Sequence, residues 1–137
     1  MSDMKGIASS FFEACEIGKG WDGCKEYCLE DASFSSHAEP LLEVTTIQEY
    51  ADWMQGVCGL MPDCDYEIKS LTVDEENKHV SFFALFSGTH TGEGGPPPTG
   101  LKGTVDYVYA LEFSGDKIKH LTKVWNPHHF FKQIGWE

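Results

Sequence analysis

Apolar positions recur along this chain with two different periods, and the changes between them divide it into elements. Near the start, Met4, Ile7, Ala8, Phe11, Phe12 and Cys15 follow helical spacing, with Ser2 or Asp3 placed to cap the helix and Gly18 and Gly20 to end it. Trp21, Cys24, Cys28 and Leu29 predict a second, short helix. A strand candidate over 32–36 is closed by His37-Ala38-Glu39-Pro40. Thr46-Ile47-Gln48-Glu49 has the form of a capping box, in which the threonine oxygen and the glutamate carboxylate each satisfy a free backbone N–H. The helix it opens turns Ile47, Tyr50, Ala51, Met54, Val57 and Cys58 to one side and stops at Gly59 or Pro62.

Beyond this point the period shortens to two. Residues 65–74 alternate through Tyr66, Ile68, Leu71 and Val73, a polar turn follows, and 79–90 predict a further strand. Its centre, Phe82-Phe83-Ala84-Leu85-Phe86, is apolar on both faces, as in a central strand covered on both sides. Three consecutive prolines make 92–100 a loop, because they remove N–H donors and fix φ. Two long runs, 101–113 and 118–126, then flank Ser114-Gly115-Asp116-Lys117 and predict a hairpin. Helices first and strands after, without repeats or linkers, give a single α+β domain over 1–137: a curved antiparallel sheet wrapped over N-terminal helices.

A two-residue Gly115-Asp116 loop sets the hairpin register. Phe113 then faces Ile118, Leu111 faces His120, Tyr109 faces Thr122, Tyr107 faces Val124 and Val105 faces Asn126. This face is apolar apart from an imidazole, an amide and two phenols, the composition of a small-molecule pocket. The opposite face carries Val108, Ala110, Leu121, Lys123 and Trp125, with Glu112 and Lys119 as a cross-strand ion pair. Its apolar part predicts a homodimer formed through the sheet.

The net charge of −12 excludes a phosphate-binding, nucleic-acid partner and an anionic membrane surface. No apolar run approaches the ~20 residues of a membrane-spanning helix, and the N-terminus lacks a secretory core, so a cytoplasmic location is expected. Five cysteines, an odd number, are read as free thiols; Cys24 and Cys28 alone are too few to hold a metal. His128 and His129 are adjacent on a helix, point about 100° apart and chelate poorly. No phosphate cradle or G-x-S-x-G motif is present, and no cofactor is expected.

The motifs Gly88-Thr89-His90-Thr91-Gly92-Glu93 and Pro97-Pro98-Thr99-Gly100, with Gly115-Asp116-Lys117-Ile118 and a closing Gln133-Ile134-Gly135, resemble those of SnoaL-like polyketide cyclases. That resemblance spans essentially the whole chain and implies the cone-shaped fold of the nuclear transport factor 2-like superfamily, with back-to-back dimers. In the family pattern a trailing aspartate serves as acid/base for aldol ring closure. Counted from Ile118, Asn126 occupies its place, and an amide cannot exchange a proton there near neutral pH. The ring closure itself is therefore not expected.

Two readings of function follow. In one, the protein is a cofactor-free isomerase, cyclase or dehydratase acting on a small hydrophobic carbonyl compound. His120, with or without His37, moves the proton and Asn126 and a tyrosine hold the enolate oxygen, while Tyr107, Tyr109, Thr122, Trp53 and His90 line the site. In the other, the same cone binds a small apolar molecule without chemistry. Each candidate also has a structural role open to it. Asn126 before Pro127 is a helix cap, His120 a satisfied core residue, His37 a surface turn residue, the tyrosines core rings, and His90 an anchor for its loop.

Overall fold

The computed structural model describes residues 3–137; Ser2, one of the two capping candidates, lies outside the described residues. Asp3 caps α1 (Met4–Glu16), its carboxylate accepting from the Gly6 N–H at 3.1 Å. The next helix, α2 (Gly20–Cys24), is shorter than its apolar spacing predicts. A 3-10 turn (Lys25–Tyr27) ends it, and Cys28 and Leu29 belong instead to β1 (Cys28–Ser36). The capping box opens α3 (Ile47–Leu60): the Glu49 N–H donates to Thr46 Oγ1 at 3.1 Å and the Thr46 N–H to Glu49 Oε1 at 3.2 Å. Four long strands follow, β2 (Asp65–Asp74), β3 (His79–Thr89), β4 (Lys102–Ser114) and β5 (Lys117–Trp125), and then α4 (Pro127–Gln133).

The strands form one sheet in the order β1-β5-β4-β3-β2. All pairs are antiparallel except β1 with β5, which brings Ser33 beside His120, Ser35 beside Thr122 and Ser36 beside Lys123. The fold is thus the α+β architecture read from the sequence, with helices on the concave face. Phe12 of α1 seats against that face, its ring stacked on Phe82 at 4.4 Å between centroids and set edge-on to Tyr109 at 5.0 Å. At one end α4 lies against β4, where Gly103 leaves it room: a Cβ there would come within 2.9 Å of the Phe130 ring.

The hairpin departs from the expected register. Ser114 pairs with Lys117 and Phe113 with Ile118, as the loop dictates, but Glu112 then pairs with His120. Lys119 is an extra residue, a β-bulge, and a slip of one residue turns every later side chain to the other face. His120, Thr122 and Val124 therefore point outward, while Leu121, Lys123 and Trp125 point inward with Leu111, Tyr109 and Tyr107. The expected Glu112–Lys119 pair gives way to Glu112 facing His79 at 3.9 Å.

Two further expectations change. Leu121 and Trp125 are lost from the outer face, whose apolar residues are instead Phe83, Leu85, Val108, Ala110 and Val124. Phe83 and Val124 are 41% and 60% exposed, so the centre of β3 is covered on the inner side only. Among the described residues no helix is long and apolar enough to cross a membrane.

Candidate active site in the concave face

Two ionisable side chains point into the apolar interior, one from a helix and one from the sheet. Glu16 closes the apolar stripe of α1, one helical turn beyond Phe12, and is 1% exposed. Lys123 enters from β5 as a consequence of the bulge and is 6% exposed. A buried charge is tolerated only where hydrogen bonds and an opposite charge compensate the lost water. Three tyrosines supply that compensation.

Tyr107 and Tyr109 each donate to one oxygen of the Glu16 carboxylate, Tyr109 at 2.5 Å from Oε2. The Tyr109 hydroxyl also meets that of Tyr50, and the Tyr50 oxygen accepts from Lys123 Nζ at 3.0 Å. Because an ammonium can only donate and a carboxylate can only accept, the chain has one direction: Lys123 to Tyr50, Tyr50 to Tyr109, Tyr109 to Glu16. Aromatic faces complete the surroundings of Lys123. Its Nζ lies 4.2 Å from the Trp125 ring centroid, 5.1 Å from Tyr50, 5.3 Å from Trp53 and 5.5 Å from Tyr107, all within cation–π range.

Burial shifts both groups toward neutrality. It pushes the Lys123 ammonium down to about 8, opposed by the Glu16 carboxylate. It raises Glu16 above the usual carboxylate range, opposed by Lys123 and by the hydroxyls of Tyr107 and Tyr109. Desolvation also raises the phenols of Tyr50, Tyr107 and Tyr109, which therefore stay protonated and serve as relays.

Glu16 and Lys123 line the same pocket, a narrow cavity of about 40 Å³ beneath Trp53, Tyr107, Trp125 and Trp136. Its remaining walls are apolar side chains of α3, α4 and the sheet, among them Val57, Val105 and Phe131. The arrangement is one base, one cation and an otherwise apolar enclosure, with the indole N–H of Trp125 buried and unpartnered. Such a site can take up a proton at carbon while holding negative charge on oxygen.

Of the residues expected at the site, Tyr107 and Trp53 line this pocket, and Tyr109 lies behind Tyr107 in the hydrogen-bonded chain. His120 and Thr122 do not reach it. The His120 ring is held on the outer face by Ser33 Oγ at 2.6 Å from Nδ1, with Ser35 Oγ at 2.9 Å and Thr122 Oγ1 at 3.1 Å from Nε2. His37, Thr122 and Asn126 share a second, open groove of about 460 Å³ with Glu39 and His128, and Lys123 and Trp125 border both this groove and the inner pocket. Asn126 is the cap of α4, its Oδ1 accepting from the His129 N–H at 3.3 Å, and it does not line the inner pocket. His90 is fully buried and ties the Gly/Pro loop to the C-terminus. Its backbone bonds Leu101 and Gly100, and its Nδ1 accepts from the Trp136 indole at 3.0 Å.

Glu16 and Lys123 are absent from the residues expected on sequence grounds. Glu16 had a visible signal, since it follows Phe12 by four positions on an apolar helix face. Lys123 had none without the bulge, because strict alternation from the turn puts it in solvent.

A family model described as SnoaL-like polyketide cyclase matches residues 7–134. Solved structures share the fold at low identity. AclR of Streptomyces galilaeus, a proposed hydroxylase, superposes with a TM-score of 0.79 at 21% identity, over 98% of this chain and 86% of that one. IdmH of Streptomyces antibioticus, a proposed polyketide cyclase, gives 0.77 at 17%, over 97% and 99%. A Catenulispora acidiphila protein with a ketosteroid isomerase-like fold, bound to trimethylamine, gives 0.72 at 15%, over 100% and 96%. No curated protein matches the chain in sequence.

The shifts set a pH dependence of stability. Lys123 binds its proton less tightly folded than unfolded. Its contribution is complete above the ordinary value of 10.5 and is lost as pH falls through about 8. Glu16 has the opposite sense: its contribution is full below the ordinary 4.5 and lost as pH rises through its raised folded value. In urea unfolding, the stability of the wild type relative to Lys123→Met should therefore rise by roughly 2 kcal/mol between pH about 8 and about 10. Parallel pH curves for the two proteins would show that Lys123 ionises as a surface lysine does.

Proposed function

The chain belongs to the SnoaL-like polyketide cyclase family, and from that premise we propose that it catalyses cofactor-free proton transfer next to a carbonyl group, on a small hydrophobic molecule held in the concave pocket. The observation that carries this reading is the pairing of a buried carboxylate and a buried amine on one otherwise apolar cavity. Family and fold support a cyclase- or isomerase-type protein; the substrate class and the roles below are inferred from the geometry.

Glu16 is the base. Each of its oxygens accepts one phenol and keeps a second lone pair, and its raised pKa brings its basicity closer to working pH. Lys123 meets the developing enolate oxygen as a cation in a dry site, where such a contact counts for more than in water. Tyr107 and Tyr109 hold the carboxylate, and Tyr50 and Tyr109 carry protons between the two ends. At about 40 Å³ the cavity is far below the roughly 300–1,000 Å³ of pockets for drug-sized ligands, so the substrate is compact or displaces Phe131 and Trp136 on binding.

The proposal keeps the homodimer on the outer face of the sheet and changes the residues that form it. Phe83, Leu85, Val108, Ala110 and Val124 make a broad apolar strip on the outer face of the sheet, flanked by the Lys69–Asp106 ion pair at 2.7 Å. A Val124→Lys variant should run as a monomer in light scattering across a dilution series, while the wild type holds a dimer mass. A monomeric wild type at all concentrations removes the dimer.

Exchange of solvent deuterium into 2-butanone, followed by proton NMR, tests the chemistry. Wild-type protein should exchange the hydrogens next to the carbonyl faster than buffer does, and Glu16→Gln should lose at least ~100-fold of that excess, the usual scale of general base catalysis. Exchange at the buffer rate with the wild type would leave a pocket that binds without chemistry.

A further inference from the structure

We propose that Lys123 acts covalently, its Nζ condensing with the carbonyl carbon of a small apolar ketone or aldehyde to form an imine. This rests on the reading of the concave pocket as a carbonyl site and replaces an electrostatic role for Lys123 with a chemical one.

The surroundings of Nζ suit a nucleophile. Lys123 is the one buried lysine among the ten in the chain, and the chain has no arginine. Its single hydrogen bond is to Tyr50 Oη: the ammonium donates to that oxygen, and in the neutral amine the same hydroxyl turns its proton to the nitrogen, so no other polar side chain ties up Nζ. The hydroxyl chain through Tyr50 and Tyr109 to Glu16 provides the neutral form. A proton passed along it converts ammonium and carboxylate into amine and carboxylic acid, with no charge left over in the apolar interior. Burial favours the same change at both ends.

The step balances as a condensation. The Nζ lone pair forms the C–N bond while the carbonyl π pair moves to oxygen. That oxygen then leaves as water with the two amine hydrogens, and the product is a neutral imine. Protonation of the imine nitrogen from Tyr50, refilled from Glu16 through Tyr109, gives an iminium ion. The iminium is a cation at the atom that the ammonium occupied, so the faces of Trp125, Trp53 and Tyr107 that hold the ammonium also hold the product. Glu16, again a carboxylate, removes the neighbouring C–H proton; the C–H pair forms a C=C bond and the C=N π pair returns to nitrogen as a lone pair, giving an enamine. The buried, unpartnered indole N–H of Trp125 is a donor for the carbonyl oxygen before it leaves.

The test uses 2,4-pentanedione, whose imine rearranges to a stable, ultraviolet-absorbing enaminone that needs no reductant. Near neutral pH, intact-mass measurement of the wild type should show one adduct with the mass of the probe less one water. Peptide mapping should place it on Lys123 ahead of the other nine lysines. Tyr50→Phe, which keeps the ring and removes the relay hydroxyl, should slow the reaction by about tenfold, as expected for loss of a hydrogen bond to the reacting nitrogen. Lys123→Met should give no adduct. Absence of an adduct on the wild type, or labelling of exposed lysines at or above the rate of Lys123, overturns the imine. If that happens while Glu16-dependent exchange of 2-butanone persists, the proton-transfer function stands without the covalent step. An adduct on Lys123 with exchange at the buffer rate retains the imine and removes that function.

Discussion

Lys119 has no partner of its own on β4, and through that one extra residue β5 delivers Lys123 into the protein interior. Without the bulge, the alternation running up from the Gly115 turn would carry His120, Thr122 and Val124 inward and leave Lys123 in water. With it, the inner face gains Leu121 and Trp125 as packing and one cation, and the outer face gains a histidine and a threonine held by serines of β1. The bulge thus sets the charge of the pocket, and the pocket's chemistry depends on it more than on any single side chain.

A cation placed there must be compensated, and the rest of the site reads as that compensation. Taking Lys123 from its ordinary value of 10.5 to about 8 corresponds to roughly 3 kcal/mol against the charged form. That is the net of burial and the opposing Glu16 carboxylate, and the groups around the ammonium come from four elements: Glu16 from α1, Tyr50 and Trp53 from α3, Tyr107 from β4 and Trp125 from β5. The same contacts that make the charge tolerable connect the amine to the carboxylate through two phenols. Structural cost and chemical opportunity therefore have one origin. A fully apolar core at these positions would pack as well and do nothing.

Much of the fold was legible because it rests on local signals. The Thr46–Glu49 capping box, the Asn126–Pro127 helix start, the Gly/Pro loop and the hairpin turn each have short-range chemistry that survives in the structure. The inner side chains of β4 alternate without interruption from Val105 to Phe113, and Tyr107 and Tyr109 fall where alternation puts them. What was not legible depends on a non-local event. Nothing in Asp116-Lys117-Ile118-Lys119 announces the bulge; the parallel pairing of β5 with β1 and the apolar demand of Leu121 and Trp125 accompany it. One slipped residue exchanged His120 for Lys123 as the ionisable group of the pocket.

The proposed chemistry requires Lys123 to be a buried, easily neutralised amine linked to Glu16, and carbon-13 NMR of the lysine Cε resonances across pH observes that directly. One resonance of ten should titrate near 8, and Glu16→Gln should move it lower still, since the carboxylate is what holds the proton on. Ten lysines titrating together near the ordinary 10.5 would contradict the account.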